Sequence, residues 1–133
     1  MLSQDELRGI FLSHPTAEIN ISKDVNTNVG YRVRLRVSIR GNERYVYAIH
    51  RSLLQYEINS KIKNLESNKR PRPILYITGL SNLETMYETF SLHSNTSNVN
   101  WNPFAQVMWM VRQEQHLTQD GLDNILRIKD LIQ

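Results

Sequence analysis

Apolar residues recur along this chain with two different periods, and the switches between them lay out its elements. Leu7, Ile10 and Phe11 share one side of a short helix predicted from Gln4 to about Ser13; it opens on Ser3 and Glu6 at capping-box spacing and stops at Pro15. The period then falls to two. Ala17, Ile19 and Ile21 alternate with Glu18, Asn20 and Ser22, and after a turn-rich stretch at 24–30 the alternation returns in Tyr31 to Arg40, so the two strands are predicted to form an antiparallel hairpin. Helical spacing resumes from Glu43 to about Tyr56, with Val46, Ile49, Leu53 and Leu54 as the apolar stripe. Two further strands, Ser60 to Leu65 and Ile74 to Thr78, flank a turn at 66–73 with a basic tip. Ser81 and Glu84 repeat the capping-box spacing and predict a helix to about Phe90, followed by a loop over the Ser- and Asn-rich stretch 91–102. Pro103 suits the first turn of a helix striped by Phe104, Val107, Met108 and Val111. Thr118 caps a last helix, Gln119 to about Ile132, whose Leu122, Ile125, Leu126, Ile128 and Leu131 are expected to face inward and whose first turn tolerates Gly121. Trp101 and Trp109, with Met108 and Met110, read as core. The order α-β-β-α-β-β-α-α-α predicts an α+β fold, a four-stranded antiparallel sheet with helices on one face and the other face open. A chain of 133 residues suits a single domain over 1–133.

The strand Tyr31 to Arg40 changes the picture from architecture to chemistry. Tyr31, Val33, Leu35, Val37 and Ile39 occupy one parity; Arg32, Arg34, Arg36, Ser38 and Arg40 occupy the other. Same-face neighbours on a strand stand about 6 to 7 Å apart, so four arginines in that row repel one another unless a polyanion lies against them. A solvated sheet face mixes Lys, Glu and Thr; a row of planar forks suits guanine edges and phosphates. The net charge is only +3, yet twelve of the sixteen Lys and Arg lie between Lys23 and Arg72. From Pro73 to Gln133 only Arg112, Arg127 and Lys129 stand beside six acids, which puts the binding surface in the middle of the chain.

Other chemistry is thin. With no cysteine there are neither disulfides nor thiolate metal sites. No apolar run approaches the roughly 18 residues of a membrane span and no signal-peptide pattern opens the chain, so a soluble intracellular protein of the cytoplasm or nucleoid is expected, with no membrane partner. His50, His93 and His116 lack metal-ligand spacing and read as surface or helix-boundary residues; no phosphate-binding loop, dinucleotide loop or nucleophile elbow is present, and no cofactor is expected. Glu18, on the polar parity of the first strand, is expected to pair with an arginine across the hairpin.

The element order and the arginine face resemble a single LAGLIDADG homing-endonuclease domain over nearly the whole length. Leu7-Arg-Gly9-Ile-Phe-Leu-Ser-His-Pro15 stands where the motif helix should be, and Leu7, Gly9, Ile10 and Phe11 keep its packing half. The arginine strand resembles the family's second strand. Leu53-Leu54 to Ile58-Asn59-Ser60-Lys61 resembles its passage from helix to third strand, Ile77 to Leu83 its fourth strand running into a helix, and Gln115 to Leu122 its HLTxEGL run. The resemblance implies a saddle-shaped sheet that holds half a DNA site in the major groove. It also implies two motif helices packed on a twofold axis, with an acid at the foot of each helix to hold a catalytic divalent metal. A chain with one motif would reach that arrangement as a homodimer, with Leu7, Gly9, Ile10 and Ser13 at the seam.

The departures from the pattern matter as much. By the resemblance the catalytic acid falls at His14, the other motif acid at Leu12, and the final glycine at Pro15. Ile39 stands where the family often carries Gln or Lys, and Thr78 and Gly79 stand where a basic active-site residue belongs. A hard divalent cation prefers carboxylate oxygens to a neutral imidazole. The expectation is therefore a protein without catalytic or metal-binding residues: a sequence-specific double-stranded DNA-binding protein, homodimeric, acting as a transcriptional regulator or genome-organising factor. Arg32, Arg34, Arg36 and Arg40 would read or clamp the groove, and Lys23, Lys61, Lys63, Lys69, Arg70 and Arg72 would hold phosphates. The alternatives are an RNA-binding helper of intron splicing, an endonuclease with a relocated carboxylate such as Glu18, and a module for an acidic protein partner.

Overall fold

The arginine strand pairs on both sides, and the rest of the chain is arranged around that pairing in a computed structural model, which describes residues 1–13, 15–93 and 101–132. The elements run α1 (Gln4–Ser13), β1 (Thr16–Lys23), β2 (Tyr31–Arg40), α2 (Glu43–Leu54), β3 (Lys61–Lys63), β4 (Ile74–Thr78), α3 (Leu80–Thr89), α4 (Trp101–Arg112) and α5 (Gln119–Ile132), with a 3-10 turn at Gln115–Leu117 between the last two helices. The sheet is four-stranded and antiparallel in the order β1-β2-β4-β3. As the alternation predicts, Ile19, Leu35, Val37, Ile39, Leu75 and Ile77 are buried on one face, where they join Leu7 and Phe11 of α1, Val46, Ile49 and Leu53 of α2, Leu83 and Met86 of α3, Phe104 and Val107 of α4 and Ile125 of α5 in one apolar cluster. The helices therefore lie on one side, and the even-numbered residues of β2 are left on the other. Among the described residues no helix is long and apolar enough to cross a membrane.

The local signals account for most boundaries. Ser3 and Glu6 form the expected reciprocal cap, the Glu6 amide donating to Ser3 Oγ at 3.1 Å and the Ser3 amide to Glu6 Oε1 at 3.2 Å. Asn42 caps α2 by accepting from the Tyr45 amide, and Thr118 Oγ1 accepts from the Gly121 amide at the start of α5. The expected cap at Ser81 and Glu84 does not form. Gly79, at φ 88°, is the N-cap of α3 and supplies no side chain. Asn82 is the residue that ties this corner, donating to the Thr78 carbonyl and accepting from the Asn59 amide. Glu84 is instead drawn across to Arg112 of α4 in an ion pair.

Three other expectations change. Trp101 begins α4 rather than closing a loop; it is buried and its Nε1 donates to the Phe11 carbonyl at 2.8 Å, which fixes α4 against α1. Residues 94–100 of the expected loop lie outside the described residues. Trp109 is 57% exposed on the outer side of α4, and Leu126 and Leu131 are exposed on α5, where Leu122, Ile125 and Ile128 are the apolar side chains buried among the described residues. Gly121 is more than tolerated. A Cβ built there would stand 1.8 Å from the Gln115 carbonyl oxygen, so the backbone of the 3-10 turn packs directly onto α5 at this residue.

Candidate nucleic-acid interface

The register places the residues of the open face in rows across the strands. Arg32 stands opposite Ser22 and Arg34 opposite Asn20; Arg36 lies between Glu18 and Thr78; Ser38 lies between Thr16 and Tyr76, beyond which stands Lys61; Arg40 is opposite Ile74, with Lys63 beyond. The sequence expectation of a row of arginines on one face is thus met in position, but the four are not equivalent.

Arg32 and Arg34 are exposed, and neither has a hydrogen-bond or ion-pair partner among the described residues. They occupy the part of β2 that runs beyond β4, whose pairing ends at Arg36 and Thr78. The overhang leaves a groove of about 680 Å³ with Asn20, Ser22, Arg32, Arg34 and Arg36 along it, and with Val33, Leu35, Leu80 and Val111 as apolar lining.

Arg36 is held. Its Nε and Nη2 donate to Glu18 Oε2 at 2.9 and 2.5 Å, Ser38 Oγ donates to Glu18 Oε1 at 3.3 Å, and the guanidinium lies 4.5 Å over the ring centroid of Tyr76. The expected pairing of Glu18 across the hairpin is thus observed. Arg40 is held in the same manner by a residue that local spacing did not single out: Nε donates to Glu66 Oε1 at 2.8 Å and Nη2 to Glu66 Oε2 at 2.9 Å. This contact holds the Glu66 carboxyl below its ordinary range, against a smaller opposing effect of desolvation, and raises the Arg40 guanidinium. It also draws in the connection between β3 and β4. Glu66 and Arg72 are joined through their backbones, as are Ser67 and Arg70, and Arg70 Nη1 reaches Glu66 at 3.9 Å. Ile74 is fully buried on this side of the sheet, outside the main cluster, and Ser38 is almost so.

Lys61 and Lys63 share the face and are exposed; Lys23 closes β1, and Lys69, Arg70 and Arg72 are exposed on the connection. Of the sequence-based set, Arg32, Arg34, Arg36, Arg40, Lys61 and Lys63 share the open face by register, with Arg36 and Arg40 tied to acids rather than free, whereas Lys23 stands opposite Tyr31 on the other parity. Of the residues expected at a dimer seam, Gly9 and Ser13 are exposed on α1 and Ile10 is half-buried, but Leu7 is fully buried in the chain's own core and cannot reach a second chain. A Cβ added at Gly9 would meet nothing within 4 Å, so that side of α1 is open.

Of the described histidines, His93 lies exposed just past α3, whereas His50 is half-buried within α2 rather than at its boundary. His50 Nδ1 is 2.7 Å from Ser60 Oγ. His116 is half-buried with Nδ1 unpartnered, and burial pushes its imidazole below the ordinary value, only partly opposed by Glu114. His14, where the resemblance puts the catalytic acid, lies outside the described residues. Among the described residues no three His, Cys, Asp or Glu side chains are grouped so as to hold a metal ion. Glu18, the expected alternative carboxylate, is committed to Arg36 and Ser38. The described donor set does not fit a divalent cation.

No family model and no curated protein matches the sequence. Solved structures do. The homing endonuclease I-TnaI superimposes with a TM-score of 0.84 at 22% identity, over 98% of this chain and 88% of that one. The LAGLIDADG homing endonuclease I-SmaMI, bound to cleaved DNA, gives 0.82 at 17% identity over 100% of this chain and 44% of its own. I-LtrWI, bound to target DNA, gives 0.81 at 18% identity over 99% and 44%. This chain thus spans most of the first and under half of the other two. At such identities the likeness is one of fold, and it matches the expected saddle sheet with helices on one face. It also corrects the expectation that the protein is not an enzyme: the fold is that of homing endonucleases, one of them held on cleaved DNA. The expected regulatory role rested on absent catalysis, which these structures do not support.

Proposed function

We propose that this chain, which has the fold of the LAGLIDADG homing endonucleases, binds double-stranded DNA site-specifically along the open face of its sheet, as one half of a symmetric pair. The observation that carries the reading is the state of that face. Its acids Glu18 and Glu66 are consumed in ion pairs, while Arg32, Arg34, Lys61 and Lys63 stand exposed. Surplus cations in a row with no internal acid to answer them favour a polyanion, and duplex phosphates supply one with release of condensed counterions. I-SmaMI and I-LtrWI, which share the fold, are both bound to DNA.

Pairing of two copies is supported by length and by surface. The DNA-bound neighbours have room for two units of this size, and Gly9 and Ser13 leave the outer side of α1 low enough for a second helix to approach. A second reading, cleavage of the bound duplex, is favoured by the fold itself.

Selection of bound duplexes from a randomised pool, in Mg²⁺ and moderate salt with strand integrity checked, tests both readings. The expected result is enrichment of a near-palindromic site of about 20 base pairs, as two half-sites on a twofold protein require. Broken strands within that site would establish the second reading. No enrichment, with binding that fades uniformly as salt rises, or structured RNA outcompeting every duplex, would overturn the first.

A further inference from the structure

The arginines of the open face divide by how they are held. Arg36 and Arg40 each rest on a carboxylate that is more covered than they are: side-chain exposure is 36% for Arg36 against 18% for Glu18, and 38% for Arg40 against 14% for Glu66. In both pairs the acid takes the Nε and Nη2 side of the fork. Nη1 and the second hydrogen of Nη2 are left without a hydrogen-bond acceptor among the described residues, and Tyr76 supports the Arg36 plane from one side. Arg32 and Arg34 have no such support.

Two physical consequences follow from the buttress. The arginine's rotamers are restricted on folding, so less freedom is lost when the fork meets a ligand. The neighbouring carboxylate also cancels most of its charge. A phosphate approaching the pair meets an acid as well as a base and gains little, whereas the O6 and N7 of guanine offer two acceptors in the geometry of the free fork without a net negative charge. An arginine neutralised in this way selects a base edge over the backbone.

We infer that Arg36 and Arg40 are the guanine-reading residues of this surface and that Glu18 and Glu66 are positioning residues that keep them off phosphates, while Arg32 and Arg34 supply adaptable contacts and affinity. This rests on the DNA-binding reading above. Four residues of strand separate the two readers by about 13 Å. Base edges follow one another by at least about 3.4 Å, so the two guanines lie no more than about four steps apart in each half-site.

The experiment compares the base preferences and salt dependence of the wild-type protein, Glu18→Gln and Arg36→Lys on the selected duplex and on an alternating A·T duplex of equal length. With Glu18→Gln, preference for guanine at one position per half-site falls at least about tenfold, while binding to the A·T duplex strengthens and its salt dependence steepens, because a negative charge has left the face. With Arg36→Lys the same guanine preference is lost and binding to the A·T duplex is kept, since the charge remains and the fork does not. A purely structural role for Glu18 predicts weaker binding to both duplexes and overturns the inference. So does a wild-type site whose guanines survive both substitutions, with the DNA-binding reading left standing. If the wild-type protein binds no duplex selectively, that reading and this one fall together.

Discussion

Replacing Gly121 by alanine is expected to lower stability by about 3 kcal/mol. Helix propensity alone predicts the opposite sign, since Gly to Ala within a helix gains about 1 kcal/mol. The structure reverses it. α4 ends at Arg112, and Glu114 takes a left-handed backbone at φ 59°; the chain then folds back through Gln115–Leu117 so tightly that the Gln115 carbonyl oxygen occupies the place of a Cβ on residue 121. The Gly121 amide also donates to Thr118 Oγ1 at 3.1 Å, so the 3-10 turn and the first turn of α5 are joined at the same point. An added methyl must push backbone from backbone, which no rotamer change relieves. Urea unfolding followed by circular dichroism measures it: the midpoint should fall with the slope unchanged. A midpoint at or above that of the wild type would mean that the turn does not sit against α5 as described.

Truncating both Arg32 and Arg34 to alanine is expected to weaken binding to the selected duplex on the order of a hundredfold, at about 1 to 2 kcal/mol for each arginine. It should also reduce the slope of log affinity against log salt by about 0.9 for every phosphate that is no longer neutralised. The stability of the protein should stay within about 0.5 kcal/mol of the wild type, since both side chains are exposed and unpartnered among the described residues. Arg127→Ala is the control. It removes one cation from the outer side of α5, where Arg127 bonds only to its helix neighbour Asn124 among the described residues, and should leave affinity nearly unchanged. Electrophoretic titration at three salt concentrations separates these outcomes. Equal weakening in the double variant and the control would mean that net charge, not the sheet face, drives binding.

Much of the fold is legible in the chain because its signals are local. The strict alternation in Tyr31–Arg40 gives β2 residue for residue, and the pairing of Ser3 with Glu6 gives the start of α1. Glu18 can be matched to an arginine because antiparallel neighbours face each other across a short turn, and the register does put it opposite Arg36. What local spacing misses is set by distant parts of the chain. Glu66 bonds Arg40 across 26 positions, and its only signal is to be the acid of an otherwise basic stretch. Tyr76 lies under Arg36 only because β4 pairs with β2, which no periodicity states. The cap expected at Ser81 loses to Asn82, whose longer side chain reaches both Thr78 and the incoming Asn59. Leu7 carries the motif's packing pattern, yet the layer it packs into is the chain's own core. In α4 and α5 the apolar stripes are wider than the buried faces, because two helices that cover each other and only part of a sheet leave Trp109, Leu126 and Leu131 outside.

Duplex DNA is expected to lie along the open face of the sheet, and nuclear magnetic resonance of the backbone amides and arginine Nε groups, recorded as the selected duplex is added, reads that placement residue by residue. The largest shifts should fall on Arg32, Arg34, Arg36, Arg40 and Tyr76 and on Lys61 and Lys63, with Trp109 of α4 and the outer residues of α5 nearly silent. Shifts concentrated around Trp109, Leu126 and Arg127, with the arginine strand unmoved, would put the duplex on the opposite side of the molecule and refute the assignment of the sheet face.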